Sequence, residues 1–262
     1  MWFADHYEMA PAQIDDFLGG SGVPLAGRTV ADVGCGDGIM ALGVTHRCRP
    51  ASLVGFDVNA VDVATLLERC RRYGVARALP PELEFRQSDP VRLPSDDAVF
   101  DVVYTWSAFE HVADPVALLR EIRRVMKPDG VFMLQLWPFY HSALGSHLWD
   151  WFPEPFHHLG QTPDEIVAAM RASDRHTPET TEYMAKEFLA LNRLTLDDLG
   201  DAIANAGLRV GKLELIAGAT HVPHEALRHP LSQLGVSGVK LLATVNSTSS
   251  EPRHDSLRRS ES

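Results

Sequence analysis

Residues 28–38 read Arg-Thr-Val-Ala-Asp-Val-Gly-Cys-Gly-Asp-Gly, and Ile-Met-Ala-Leu-Gly-Val follows at 39–44. A short buried-type run, a turn with glycine at Gly34, Gly36 and Gly38, and an apolar helix start make one strand–loop–helix unit. Glycine has no Cβ and reaches positive φ freely, so such a turn lets backbone approach a ligand closely. A dinucleotide-binding loop would read Gly-x-Gly-x-x-Gly. Here Ile39 stands at the last position of that pattern and the third glycine comes one residue early, which turns the loop away from a pyrophosphate and toward another ligand.

Outward from this unit, strand and helix patterns alternate to about residue 137, as in a parallel sheet covered on both faces. Ser52–Val58 is the second strand, and Asn59 stands where the next helix should be capped, with Val61, Ala64 and Leu67 at helical spacing and a stop at Gly74. Leu83–Gln87 is the third strand and Phe100–Thr105 the fourth. Asp114-Pro115 then caps an amphipathic helix carrying Val116, Leu119, Ile122 and Val125. Lys127-Pro128-Asp129-Gly130 supplies a stop and a turn before the fifth strand, Val131–Trp137.

The pattern breaks at Pro138. An aromatic-, proline- and histidine-rich insertion runs over 138–191, with one helix-like segment near Pro163–Arg171. Regularity returns at Thr195–Ala206, where Thr195 caps, Asp198 follows three residues on and Gly207 ends the helix. Val210–Ile216 and Val239–Val245 close the sheet. The expected organisation is an N-terminal helical segment (1–27), one doubly wound α/β domain (28–245) of seven mostly parallel strands, and a disordered polar tail (246–262).

Composition bounds the function. With 262 residues, 45% hydrophobic and 23% charged, the chain has the mix of a soluble globular protein with one large domain. A formal charge of −11 argues against a surface that tracks nucleic acid or anionic membrane. No run of about 18 apolar residues occurs, and the N-terminus carries no basic region followed by an apolar run. Three cysteines without a Cys-x-x-Cys pair indicate neither disulfides nor a zinc knuckle, and a reducing cytoplasm is the expected compartment.

Three acidic residues end strands on one sheet edge, where open α/β sheets bind ligands. Asp57 closes the second strand, where a carboxylate can take both ribose hydroxyls, and Asp89 follows the third, suited to an adenine amino group. Asp32, inside the first strand, reads as a structural or loop-orienting carboxylate. The stretches VADVGCGDG, VGFDVN, RQSDPVRLP, FDVVYTWSAFEHVADP and LLREIRRVMKPDGVF together resemble the class I S-adenosylmethionine (SAM)-dependent methyltransferases over residues 28–137. The resemblance implies the Rossmann-like methyltransferase fold and SAM as cofactor, with S-adenosylhomocysteine as product. It implies further that Gly34, Gly36 and Gly38 pass under the methionine part, Asp57 holds the ribose, Val58, Ser88 and Asp89 meet the adenine, and Trp106 and Ser107 face the methionine end, with Asp32 counted among the cofactor-binding residues through its place before the loop. The run Glu110-His111-Val112 with Asp114-Pro115 is similar to the small-molecule subgroup that includes ubiquinone, sterol and sugar methyltransferases. The fourth strand lacks the Asn/Asp-Pro-Pro-Tyr/Phe signature of amino-methylating DNA and protein enzymes.

The function expected is methyl transfer to a small molecule, with O-methylation of a sugar or secondary metabolite foremost. The rival readings are an NAD(P)-dependent oxidoreductase and a catalytically silent SAM-binding protein. A hydroxyl acceptor needs a base, and histidine is the usual one. His111 follows the fourth strand, and five of the twelve histidines (His141, His147, His157, His158, His176) lie in the insertion. His111, His141 and His158 are the candidates for catalysis. The spacing of His141, His147, His157 and His158 matches no familiar metal-ligand pattern and no carboxylate trio is evident, so no metal is expected. The insertion is expected to form the acceptor pocket and a mobile lid, with a homodimer interface as its alternative role.

Overall fold

The structure is a computed structural model that describes residues 2–218 and 220–246. Apart from Asn246, the tail expected at 246–262 lies outside the described residues. Seven strands, β1 (Thr29–Val33), β2 (Ser52–Asp57), β3 (Leu83–Gln87), β4 (Phe100–Trp106), β5 (Met126–Leu136), β6 (Leu208–Ala217) and β7 (Val236–Val245), lie in the order β3-β2-β1-β4-β5-β7-β6. The sheet is parallel except for β7, which runs antiparallel to both β5 and β6. The order reverses between β1 and β4, the switch point at which open sheets of this kind bind ligands outside the carboxyl ends of their strands.

Each face of the sheet buries its own core. On one side Val30, Leu53, Val102 and Tyr104 pack under α2 (Ala10–Gly19), α3 (Ile39–Cys48) and α4 (Val63–Tyr73), through Ile14, Leu18, Ile39, Leu42 and Leu66. On the other, Val103, Phe132 and Leu134 pack under α5 (Pro115–Val125) and α8 (Leu196–Asn205), through Leu119, Ile122, Leu199 and Ile203. Side chains of successive strand residues point to opposite faces, so these doubly covered strands read as continuous apolar runs. At the N-terminus, α1 (Trp2–Ala4), a π-helical turn (Asp5–Met9) and α2 follow one another. They press directly onto α3 at Gly43, where a Cβ would run into the Tyr7 carbonyl.

Several helix ends follow from adjacent residues. The Asp114 carboxylate accepts the Ala117 N–H ahead of α5, with Pro115 in its first turn. Thr195 and Asp198 form a reciprocal capping box on α8, and Gly207 follows that helix at φ 74°. Two expectations are corrected. The cap of α4 is Asp62, whose carboxylate accepts the Thr65 N–H; Asn59 instead donates its own N–H to Asp57, so the chain has not yet turned into the helix. Lys127–Gly130 does not separate a helix from a new strand but bulges within β5: Met126 already pairs with Phe100, and pairing resumes at Val131 with Val102.

The insertion is more ordered than its sequence pattern. It holds α6 (Pro163–Ala172), where a helix-like segment was expected, and α7 (Pro178–Ala190), which the periodicity did not reveal, around a small core of Leu148, Trp151, Ile166, Met170 and Phe188. A second small cluster, Phe156 and Leu159 with Ala226 and Leu234, joins the insertion to the segment before β7, where α9 (Leu231–Gly235) lies. Its aromatic residues Trp151 and Phe156 are therefore spent on these cores.

Candidate functional site

The expected cofactor residues gather at the carboxyl edge. Gly34, Gly36 and Gly38 all have positive φ, at 82°, 56° and 80°. At Gly34 a Cβ would stand 2.5 Å from the Ala108 Cβ, and at Gly38 one would stand 2.5 Å from the Phe85 ring. The loop thus passes close under the chain that follows β4.

Asp57 ties this edge together. Its two carboxylate oxygens accept the Gly36 N–H and the Asn59 N–H, each at 2.9 Å. A carboxylate has about four acceptor positions, so two stay free for ribose hydroxyls. Val58 beside it is 48% exposed, an apolar surface open to an adenine face. The Gln87 amide donates to the Val58 carbonyl, and the Ser88 N–H to the Asp57 carbonyl. Ser88 and Asp89, with Gln87, Arg92 and Pro94, line an open depression of about 530 Å³. These positions fit an adenosine laid across the ends of β2 and β3.

Asp32 is fully buried on β1 beside Tyr104 of β4, its register neighbour. Neither its carboxyl oxygens nor the Tyr104 hydroxyl meets a partner of hydrogen-bond geometry. Burial pushes the Asp32 carboxyl up to about 7, with the Asp57 charge adding to the effect and Tyr104 working against it.

Past β4, Ser107 stands at φ 46° and is held by Gln135 of β5, whose side-chain oxygen accepts both its N–H (2.8 Å) and its hydroxyl (2.9 Å). Trp106, Ser107, Gln135 and Trp137 form the floor of an open depression of about 650 Å³, walled by the N-terminal segment through Asp5, His6 and Met9 and by the end of β6. The N-terminal wall was not anticipated. This space, not the interior of the insertion, is the roomy one next to the β4 and β5 termini.

Three polar groups converge after β4 and in the insertion. Glu110, His111 and His147 each offer a ligand atom within 4.8 Å of the other two. Glu110 is 5% exposed and burial drives its carboxyl up to about 8, while burial lowers His147 to about 4 and also lowers His111. Glu110 Oε2, His111 Nδ1 and His147 Nε2 are all buried without a hydrogen-bond partner. Glu187 of α7 approaches His111 Nδ1 at 3.6 Å, longer than a hydrogen bond. Asn192 holds the insertion's far end to this corner, donating its side-chain N–H groups to the carbonyls of Phe109 and Val112.

The other two candidate bases sit elsewhere. His158 is buried, with burial lowering it to about 4, and its Nε2 is engaged by the Tyr140 carbonyl at 2.5 Å. His141 packs against His229 with ring centres 4.9 Å apart. Of the expected catalytic set, only His111 joins a group of unpartnered polar atoms. Glu110 and His147 were missed as its partners: Glu110 was legible only as part of the quoted Glu-His run, and nothing in the local sequence marks His147.

The family model for the methyltransferase domain matches residues 31–134. A sterol 24-C-methyltransferase from Schizosaccharomyces pombe is 35% identical over 124 residues, 46% of this chain and 32% of that protein. A ubiquinone biosynthesis O-methyltransferase from Roseobacter denitrificans is 28% identical over 162 residues, 57% of this chain and 60% of that one. The chain thus spans less than two thirds of the length of these curated relatives. Among solved structures, a SAM-dependent methyltransferase from Aquifex aeolicus shares the fold, with a TM-score of 0.52 and 16% identity over 92% of each chain. A domain match that begins inside β1 and ends inside β5, carried on a sheet of this order, gives the chain a methyltransferase domain over residues 31–134 on the Rossmann-like methyltransferase fold.

Proposed function

We propose that this chain transfers a methyl group from SAM to a hydroxyl of a small-molecule acceptor, a sugar or a secondary metabolite. The observation that carries this reading is the neighbourhood of two sites: an edge fitted to adenosine and, past the end of β4, an open depression floored by Trp106 and Trp137. Gly34, Gly36 and Gly38 hold the methionine part, Asp57 the ribose, and Val58, Ser88 and Asp89 the adenine. The relatives named for sterol and ubiquinone methylation act on small apolar molecules, which supports an acceptor of that size.

Methyl transfer is an in-line displacement, so positioning supplies much of the rate. The acceptor oxygen loses its proton at the Glu110–His111–His147 corner and forms the new bond to the methyl carbon. The S–CH₃ bond breaks and S-adenosylhomocysteine leaves. Trp106, Trp137 and the N-terminal segment hold the acceptor's apolar body. The three free, buried cysteines suit a cytoplasmic protein.

Calorimetry with SAM and with NAD⁺, followed by a screen of hydroxylated acceptors for S-adenosylhomocysteine release, tests the reading. SAM should bind, and Asp57→Ala should weaken it by about 1.5–3 kcal/mol, the scale of hydrogen bonds to a charged group. Binding of NAD⁺ in place of SAM would make the chain an oxidoreductase. SAM binding without turnover on any acceptor would make it a silent binder.

A further inference from the structure

The geometry points to a divalent transition-metal site formed by Glu110, His111 and His147, which fastens the insertion to the carboxyl edge of the sheet. Glu110 and His111 come from the turn after β4 and His147 from the insertion. One donor of each lies within 4.8 Å of the others. Each also has a buried nitrogen or oxygen with no partner among the described residues. A single unsatisfied buried polar atom costs about 1–3 kcal/mol, and three meeting in one corner are relieved together by one cation.

The donor set selects the ion. Two imidazoles and one carboxylate suit Zn²⁺, Fe²⁺ or Co²⁺, whereas Mg²⁺ and Ca²⁺ prefer oxygen throughout. A tetrahedral ion with bonds of about 2.0–2.1 Å holds its ligands roughly 3.4 Å apart, inside the 4.8 Å within which these donors lie. His147 already sits at φ 61°, a left-handed conformation that a side chain adopts at a cost. Glu110 is sealed from solvent, and the three unpartnered donor atoms are all buried. Glu187 brings a further carboxylate from α7. Metal binding stands on this geometry alone. Its part in catalysis rests on the proposed methyl transfer: a hydroxyl bound to the ion ionises more readily, its proton passing to water.

The test uses the full chain, stripped with a chelator and free of any histidine tag. Zn²⁺ is titrated by calorimetry, melting temperatures are read with Zn²⁺ and with Mg²⁺, and the visible spectrum of the Co²⁺-loaded protein is recorded. We expect one Zn²⁺ per chain, a higher melting temperature with Zn²⁺ but not with Mg²⁺, and Co²⁺ bands of nitrogen and oxygen ligation. Glu110→Gln, His111→Gln and His147→Gln should each weaken Zn²⁺ at least tenfold, while His229→Gln, in the other histidine cluster, should leave it unchanged. Should a ligand variant fail to fold, the Co²⁺ spectrum of the unaltered chain still decides. Less than one equivalent of Zn²⁺, a Co²⁺ spectrum of the hydrated ion, or Zn²⁺ affinity unmoved in all three variants overturns the site. These readouts need no SAM, so failure of methyl transfer leaves them standing.

Discussion

Between Thr29 and Leu136 five strands are joined through three helices, two of them capped by the residue just before them, Asp62 and Asp114, whereas between Pro138 and Leu191 two helices surround a core that no strand enters. In the first region a residue's partner is set by the period of its own element. In the second, Leu148 and Phe188 share a core although they lie far apart along the chain. The first builds the edge that fits a cofactor. The second brings His147 to Glu110 and His111.

The largest effect expected from this contrast is in the insertion's core. Phe188 is 1% exposed, and Phe188→Ala should remove about 3–5 kcal/mol from the region it holds. Hydrogen exchange should then show lost protection across α6 and α7, with β1 to β5 unchanged and SAM affinity held within about twofold. Loss of protection throughout the chain would make the two regions one cooperative unit and erase the comparison.

The legibility of the two regions differs for the same reason. Asp114-Pro115, Thr195 with Asp198, and the glycine turn each act within a few residues, and their geometry could be read before the fold was known. Asn59 and Asp62 are both capping residues three apart, and the choice between them depends on Asp57, which takes the Asn59 N–H. The bulge at Lys127–Gly130 depends on what β4 offers in pairing. Glu110 and Asp32 are charged residues at buried positions, against the ordinary rule that acids face water. Only the assembled fold shows their surroundings.

Asp32 offers the second test, inside the region of local rules. Its carboxyl is raised to about 7 in the folded protein against about 3.9 unfolded. Between those values the folded state binds the extra proton, so stability falls as pH rises from about 4 to about 7 and is level above. Asp32→Asn removes that dependence. Its stability relative to the unaltered chain, from urea unfolding at a series of pH values, should rise by up to about 4 kcal/mol across the window. A constant difference would mean that Asp32 is charged and satisfied, and that the first region holds no buried acid at variance with its pattern.

The smallest effects separate two glycines of one loop. Gly34 combines φ 82° with a Cβ position 2.5 Å from the Ala108 Cβ, while Gly36 has φ 56° and nothing within 4 Å. Gly36→Ala therefore meets only the left-handed backbone cost, about 1–2 kcal/mol. Gly34→Ala meets that and the crowding of a packed contact, about 1–3 kcal/mol more. Ala108→Gly in the Gly34→Ala background should return the crowding share and leave the backbone share, which a double-mutant cycle on unfolding free energies would separate. Ala108 belongs to the turn that leads to Glu110 and His111, so the crowding share measures how firmly the cofactor loop and the acceptor corner are pressed together. Equal costs at Gly34 and Gly36 would mean that the loop answers to backbone conformation alone, and that the two sites are set independently.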